Sequence, residues 1–143
     1  MGNTGEGTKS FTGYSRAHEI SVSGKPSIPG SSDPHFRGDE ARYNPEEMLI
    51  ASLSACHMLW YLHLCSEAGV VVVDYKDEAT GKMIETETGG GRFVEVTLQP
   101  RITISSESDV STASALHHKA HEMCFIANSM NFPVRAEPLI LVG

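Results

Sequence analysis

Between Glu47 and Glu67 the sequence runs for nineteen residues without a formal charge, and no other stretch constrains the fold as strongly. Its length meets the criterion for a membrane span. It nevertheless carries His57, His63 and three serines, and its flanks are acidic where membrane helices favour basic anchors. The stretch is therefore read as the central helix of a globular domain, with no membrane partner. Asn44 suits the N-cap and Pro45 the first helical position, while Glu46 and Glu47 complement the positive end of the helix dipole. A helix is expected from there to about Ser66, with Gly69 as its stop. Because this helix is apolar nearly all round, one sheet face is not enough to cover it.

The 143 residues suit one domain, with hydrophobic residues at 40% and charged residues at 20%, ordinary values for a globular protein. Eleven basic against eighteen acidic residues give a net charge of −7, and no Lys/Arg run is present to neutralise successive phosphates. Nucleic acid is excluded as a partner on that ground. Residues 1–9 are rich in Gly and Thr and are expected to be flexible, leaving 10–143 as the single domain. They show neither the basic start nor the apolar run of a secretory signal, so a cytoplasmic protein is expected. Three cysteines, an odd number, argue for reduced or redox-active thiols over a structural disulfide framework.

Along the chain, residues 10–24 alternate as a strand with Ile20 and Val22 on one side, and Gly24 to Pro34 reads as loop. After the long helix, Val70 towards Glu78 reads as a strand, Thr80-Gly81-Lys82 as a turn, and Gly89 to Gly91 as a flexible loop. Val94, Val96 and Leu98 then share one face at period two, and Pro100 interrupts before Ile102 and Ile104. These segments predict an antiparallel meander. A second helix is expected from Ser108 or Asp109, with Ala113, Leu116, Ala120 and Met123 as its apolar stripe. Pro133 ends it, and Val134 to Val142 closes as a strand. The order defines an α+β fold in which helices pack on antiparallel sheet.

Two segments carry the chemistry. The first is Asn44-Pro45-Glu46-Glu47 through Ser54-Ala55-Cys56-His57, and the second is Ala120-His121-Glu122-Met123-Cys124-Phe125-Ile126-Ala127-Asn128-Ser129. Cys56 lies ten residues after Glu46, within about 80 degrees of it around a regular helix, whereas Cys65 falls on the face opposite Cys56. Cys65 is accordingly read as a buried small hydrophobe. Together the two segments resemble the OsmC/Ohr family, the osmotically inducible and organic hydroperoxide resistance proteins. The resemblance extends from about Phe11 to the C-terminus. It implies antiparallel sheets wrapped around a long central helix in an interlocked homodimer. It also implies a thiol peroxidase in which Cys56 attacks a hydroperoxide and Cys124 resolves the sulfenic acid as a Cys56–Cys124 disulfide. No metal or organic cofactor is implied; an external dithiol, such as a reduced lipoyl group, would regenerate the thiols in oxidative stress defence.

A peroxidatic thiol inside an apolar helix needs a nearby cation. The resemblance implies an arginine from the N-terminal β-region, held by the glutamate at Glu46. Arg16 is the choice, with Arg37 and Arg42 as alternatives. Two departures stand out: Phe125 follows Cys124 where relatives often have proline, which permits the helix to continue, and His57 stands where many relatives carry an aromatic residue. Met58, Leu59, Trp60, Phe125, Ile126 and Met130 are candidates for an apolar pocket wall. His117, His121 and Cys124 fall on one helix face, but the second ligand cluster of a structural zinc site is missing, and no metal is assigned. The competing reading is a non-enzymatic dimeric module that senses redox state or binds a small molecule.

Overall fold

The structure, a computed structural model, describes residues 2–3 and 6–143. It divides into two compact units, with the division falling between Leu49 and Ile50. In the first unit, β1 (Gly2–Asn3) pairs antiparallel with β2 (Tyr14–Ser15), and β3 (His18–Ile20) pairs antiparallel with β4 (Ile28–Gly30). Of the N-terminal segment expected to be flexible, Met1, Thr4 and Gly5 lie outside the described residues. The segment expected as loop from Gly24 to Pro34 thus contains β4, because Tyr43 locks it in place. Tyr43 N–H donates to Pro29 O at 3.0 Å, and its carbonyl accepts from Ser31 N–H at 2.9 Å. The predicted first strand is correspondingly short, and Val22 lies outside it, 57% exposed.

The long helix α1 (Pro45–Ala68) begins as the sequence predicts. Asn44 Oδ1 accepts from Glu47 N–H at 2.8 Å and Glu47 Oε1 accepts from Asn44 N–H at 3.1 Å, a reciprocal capping box. Gly69, at φ 73°, takes the left-handed conformation that ends the helix, and Val70 N–H then reaches Cys65 O at 3.0 Å. Within the chain α1 buries one line of residues four apart: Leu53, His57, Tyr61 and Cys65. Its most apolar 18-residue window is 22% buried. The helix is thus long and apolar enough to cross a membrane by length and composition, and within a single chain only one line of it is fully buried.

The second unit holds two three-stranded sheets, in the orders β10-β8-β5 and β6-β7-β9. Their strands are β5 (Val72–Asp77), β6 (Thr80–Glu85), β7 (Gly91–Leu98), β8 (Pro100–Ile104), β9 (Val134–Ala136) and β10 (Leu139–Val142). Helices α2 (Val110–Met123) and α3 (Phe125–Asn128) lie between β8 and β9 in sequence. The α+β class holds, but the simple meander does not: β9 runs parallel to β7 and β10 parallel to β8. The expected single strand from Val134 to Val142 is split, because Pro138 has no N–H to continue a ladder. Glu137 N–H instead bonds Leu98 O at 2.8 Å. The break falls level with Gln99, where β7 gives way to β8. Thr80 to Lys82, predicted as a turn, belongs to β6 and pairs with Glu95 to Thr97.

Two apolar clusters result. Tyr61 and Cys65 of α1 pack with Val70, Ile102, Ile104, Ala113 and Ala120, while Leu53 packs with Val96, Leu98 and Val134. Period two along β8 places Ile102 and Ile104 inward and Arg101 outward, which is the pattern of a half-buried strand.

Candidate active site

Cys56 sits on α1 one position away from the buried line, half-buried. Cys124 is reached from α2, whose N-terminus is capped by Asp109; its carboxylate accepts from Thr112 N–H at 3.0 Å. The predicted stripe on α2 is partly right: Ala113 and Ala120 are buried, Leu116 and Met123 half-buried, and His117 is buried between them.

The helix does not continue through Cys124. Cys124 turns extended, at φ −69° and ψ 111°, ending α2 and capping α3, so the chain breaks here although no proline follows Cys124. Side-chain caps explain it. The Cys124 sulfur accepts from Ala127 N–H at 3.4 Å, and the Asn128 amide donates to Glu122 O at 3.0 Å, satisfying a terminal carbonyl of α2.

This turn brings the Cys124 thiol near the Cys56 thiol, close enough for the two to interact electrostatically. Burial pushes the Cys124 thiol up to about 11; the interaction with Cys56 adds to the rise, and the backbone N–H groups of Ala127 and Ile126 oppose it. Cys65 is turned away into the first cluster, 1% exposed, where burial raises its pKa and a hydrogen bond with Tyr61 partly offsets the rise. All three cysteines are free thiols.

Trp60, one turn beyond Cys56, packs against Phe125 with ring centroids 6.1 Å apart. Of the other residues proposed as a pocket wall, Ile126 and Met130 pack against the second cluster, and Leu59 and Phe125 are 62% and 70% exposed.

The proposed activating groups lie in the first unit. Arg16 is held by its own loop: it donates to Tyr14 O at 2.7 Å and Phe11 O at 2.9 Å, and its guanidinium lies 3.9 Å from the Tyr14 ring centroid. Glu46 is half-buried in the first turn of α1, and among the described residues its carboxylate has no ion pair. Arg16 and Glu46 are therefore not brought together within the chain. Arg42 donates to His18 O at 3.0 Å and pairs with Glu19 at 3.1 Å. Arg37 lies 5.4 Å from the Phe11 ring centroid.

Sequence reasoning missed one feature beside the thiols. His57 Nε2 and His117 Nδ1 are 3.0 Å apart, joining α1 to α2, with the two residues 2% and 3% exposed. The His117 ring stacks on Tyr61 at 3.8 Å, and Tyr61 OH donates to Ala113 O at 2.8 Å. Burial lowers the pKa of His57 to about 4, with nearby Asp77 opposing, and that of His117 to about 3. Both imidazoles are neutral at pH 7. The signal was present in the sequence, since His57 stands four residues from Leu53 and from Tyr61, and His117 four from Ala113. Among the described residues no group of three His, Cys, Asp or Glu is placed to hold a metal ion.

A long capped helix, mixed sheets and a thiol pair formed between α1 and the α2–α3 break define a class of two-cysteine α+β proteins. The chain belongs to the OsmC-like protein family, whose profile matches residues 38–138. It is 36% identical to an OsmC-like protein of unknown function from Vibrio cholerae, covering 88% of this chain and 86% of that one with a TM-score of 0.80. It shares its fold with an organic hydroperoxide resistance protein from Elizabethkingia anophelis, at 19% identity, 89% and 94% coverage and a TM-score of 0.66. A third similar structure is an organic hydroperoxide resistance protein from Legionella pneumophila, at 19% identity, 89% and 96% coverage and a TM-score of 0.65. No curated protein matches the chain.

Proposed function

We propose that this chain is a cysteine-based peroxidase that reduces organic hydroperoxides in a homodimer. The observation that carries the reading is the proximity of the Cys56 and Cys124 thiols, near enough to interact electrostatically though they lie on separate elements of one unit. Cys56 thiolate attacks the distal oxygen of ROOH; the O–O bond breaks, ROH leaves with a proton, and Cys56 becomes a sulfenic acid. The Cys124 thiol then displaces water from that sulfur, forming the disulfide. A dithiol, of which a reduced lipoyl group is the proposed example, returns both sulfurs to thiols and becomes a disulfide itself. In this reading Arg16, positioned by Glu46 in the dimer, supplies the positive charge that keeps Cys56 ionised. Apolar Trp60 and Phe125 beside the thiols favour organic peroxides over hydrogen peroxide. Membership of a family whose fold is shared with hydroperoxide resistance proteins supports the reading.

Stopped-flow mixing with an alkyl hydroperoxide, with a lipoyl dithiol as reductant, tests it. Wild-type protein is expected to consume peroxide over many turnovers, and Cys56→Ser to be inactive. A Cys56→Ser protein that consumes peroxide at the wild-type rate, or a wild-type rate no faster than that of free cysteine, would end the enzymatic reading.

A further inference from the structure

We propose that the buried His57–His117 hydrogen bond is a positioning device for the thiol pair, setting the alignment of α1 and α2 on which disulfide closure between Cys56 and Cys124 depends. His57 is the residue next to Cys56, and His117 lies two turns before Cys124 on the helix that delivers it. The bond at 3.0 Å and the Tyr61 to Ala113 bond at 2.8 Å tie consecutive turns of the two helices. Apolar side chains alone would let the helices slide, whereas a hydrogen bond has a direction and a length. Fold stability gives little reason for the pair. Two imidazoles are desolvated, and among the described residues His117 Nε2 is buried without a partner, although an apolar pair of similar shape can be neutral or stabilising. Their neutrality at pH 7 lets one nitrogen donate and the other accept without charge repulsion.

Closure is sensitive to such alignment. When Cys124 displaces water from the Cys56 sulfenic acid, the sulfurs must close from non-bonded separation to a bond of about 2.05 Å with a defined torsion. A misplacement of about 1 Å can slow a step of this kind about a hundredfold. Peroxide attack involves only the Cys56 sulfur and does not need this alignment.

The test separates the bond from the packing, in a Cys65→Ser background. His117→Phe keeps a ring against Tyr61 and deletes Nδ1, while His117→Asn loses the ring and keeps an amide at the reach of Nδ1. His57→Phe and His57→Gln make the same comparison at Nε2. One readout is the effective concentration of the two thiols in a glutathione redox buffer. The other is the lifetime of the Cys56 sulfenic acid after one equivalent of alkyl hydroperoxide, followed by trapping with a dione. The Phe variants are expected to lower the effective concentration and lengthen the sulfenic lifetime by about tenfold or more, with the Asn and Gln variants within about threefold of wild type. Phe variants at wild-type values, or four variants that behave alike, overturn the proposal. Should a single Phe variant fail to fold, the His57→Phe/His117→Phe double variant, which orphans no partner, carries the same comparison. The peroxide readout rests on the peroxidase reading. A wild type that forms no sulfenic acid defeats that reading, while the glutathione measurement still decides this one.

Discussion

A thiol held up near pKa 11 is protonated at neutral pH and reacts poorly with peroxide, which agrees with the proposed assignment of Cys124 to the second step of the cycle and Cys56 to the first. Cys124→Ser is expected to give one turnover and stall at the sulfenic acid, visible as a 16 Da gain in intact mass, roughly one oxygen atom. Cys65→Ser is expected to keep wild-type peroxide rates and to lose about 1–2 kcal/mol in urea unfolding, because its hydroxyl enters the apolar cluster around Tyr61. Equal loss of activity in the Cys65 and Cys56 variants would refute the assignment of roles. The arginine assignment has its own measurement, the pH dependence of Cys56 alkylation in a Cys65→Ser, Cys124→Ser background. Removing a cation disfavours the thiolate, so Arg16→Ala is expected to move the alkylation midpoint to higher pH and slow the peroxide step. Arg42, already paired with Glu19 and Asp39, is expected to matter less, as is Arg37. A shift produced by either of those and not by Arg16→Ala would transfer the role.

The ends of α1 were legible in the sequence because each rests on local chemistry: Asn44 and Glu47 cap each other, and Gly69 adopts a conformation that disfavours a side chain. Asn44→Ala is accordingly expected to cost about 1 kcal/mol, measured from the urea midpoint. Other elements were hidden because distant contacts decide them. Gly81 resembles a turn residue, yet a Cβ there would lie 2.8 Å from the Phe93 ring and 3.0 Å from Ile50, so this glycine serves close packing within a strand. The break at Cys124 was hidden for a related reason. Its caps are a cysteine sulfur and an asparagine six residues from the carbonyl it satisfies, neither a standard stop signal. Since Cys124 is already extended and Phe125 opens α3, proline fits at that position. Phe125→Pro is therefore expected to fold with stability within about 1 kcal/mol of wild type while losing the ring contact with Trp60, which the single tryptophan's fluorescence reports. Both cysteines of the pair were visible in the sequence. The bond between His57 and His117 beside them went unread, because a pattern that scores histidine as polar leaves it out of an apolar stripe.

Within one chain only one line of α1 is fully buried, and in the proposed homodimer the second copy supplies further cover. Sedimentation equilibrium is expected to show a dimer whose dissociation is coupled to unfolding. A folded monomer at micromolar concentration would count against it. Acid should destabilise the protein in a defined window. The pKa values of His57 and His117 are depressed on folding, to about 4 and about 3, so the unfolded chain binds more protons as pH falls below about 6.5. Their contribution is fully present above that value and is lost as pH falls towards 4 and 3, at up to about 1.4 kcal/mol per pH unit for each. Urea midpoints between pH 7 and 4 are expected to fall steeply in wild type and less steeply in the His57→Phe/His117→Phe variant. The split of 134–142 into β9 and β10 also bears on synthesis. One sheet takes its outer strand from β9 and the other from β10, so residues 134–142 close both. A nascent chain that has reached α2 already holds β7 and β8, yet each still offers an open edge to any passing strand. The hazard of wrong pairing at those edges of β7 and β8 thus lasts until residues 134–142 emerge, and it ends for the two strands together.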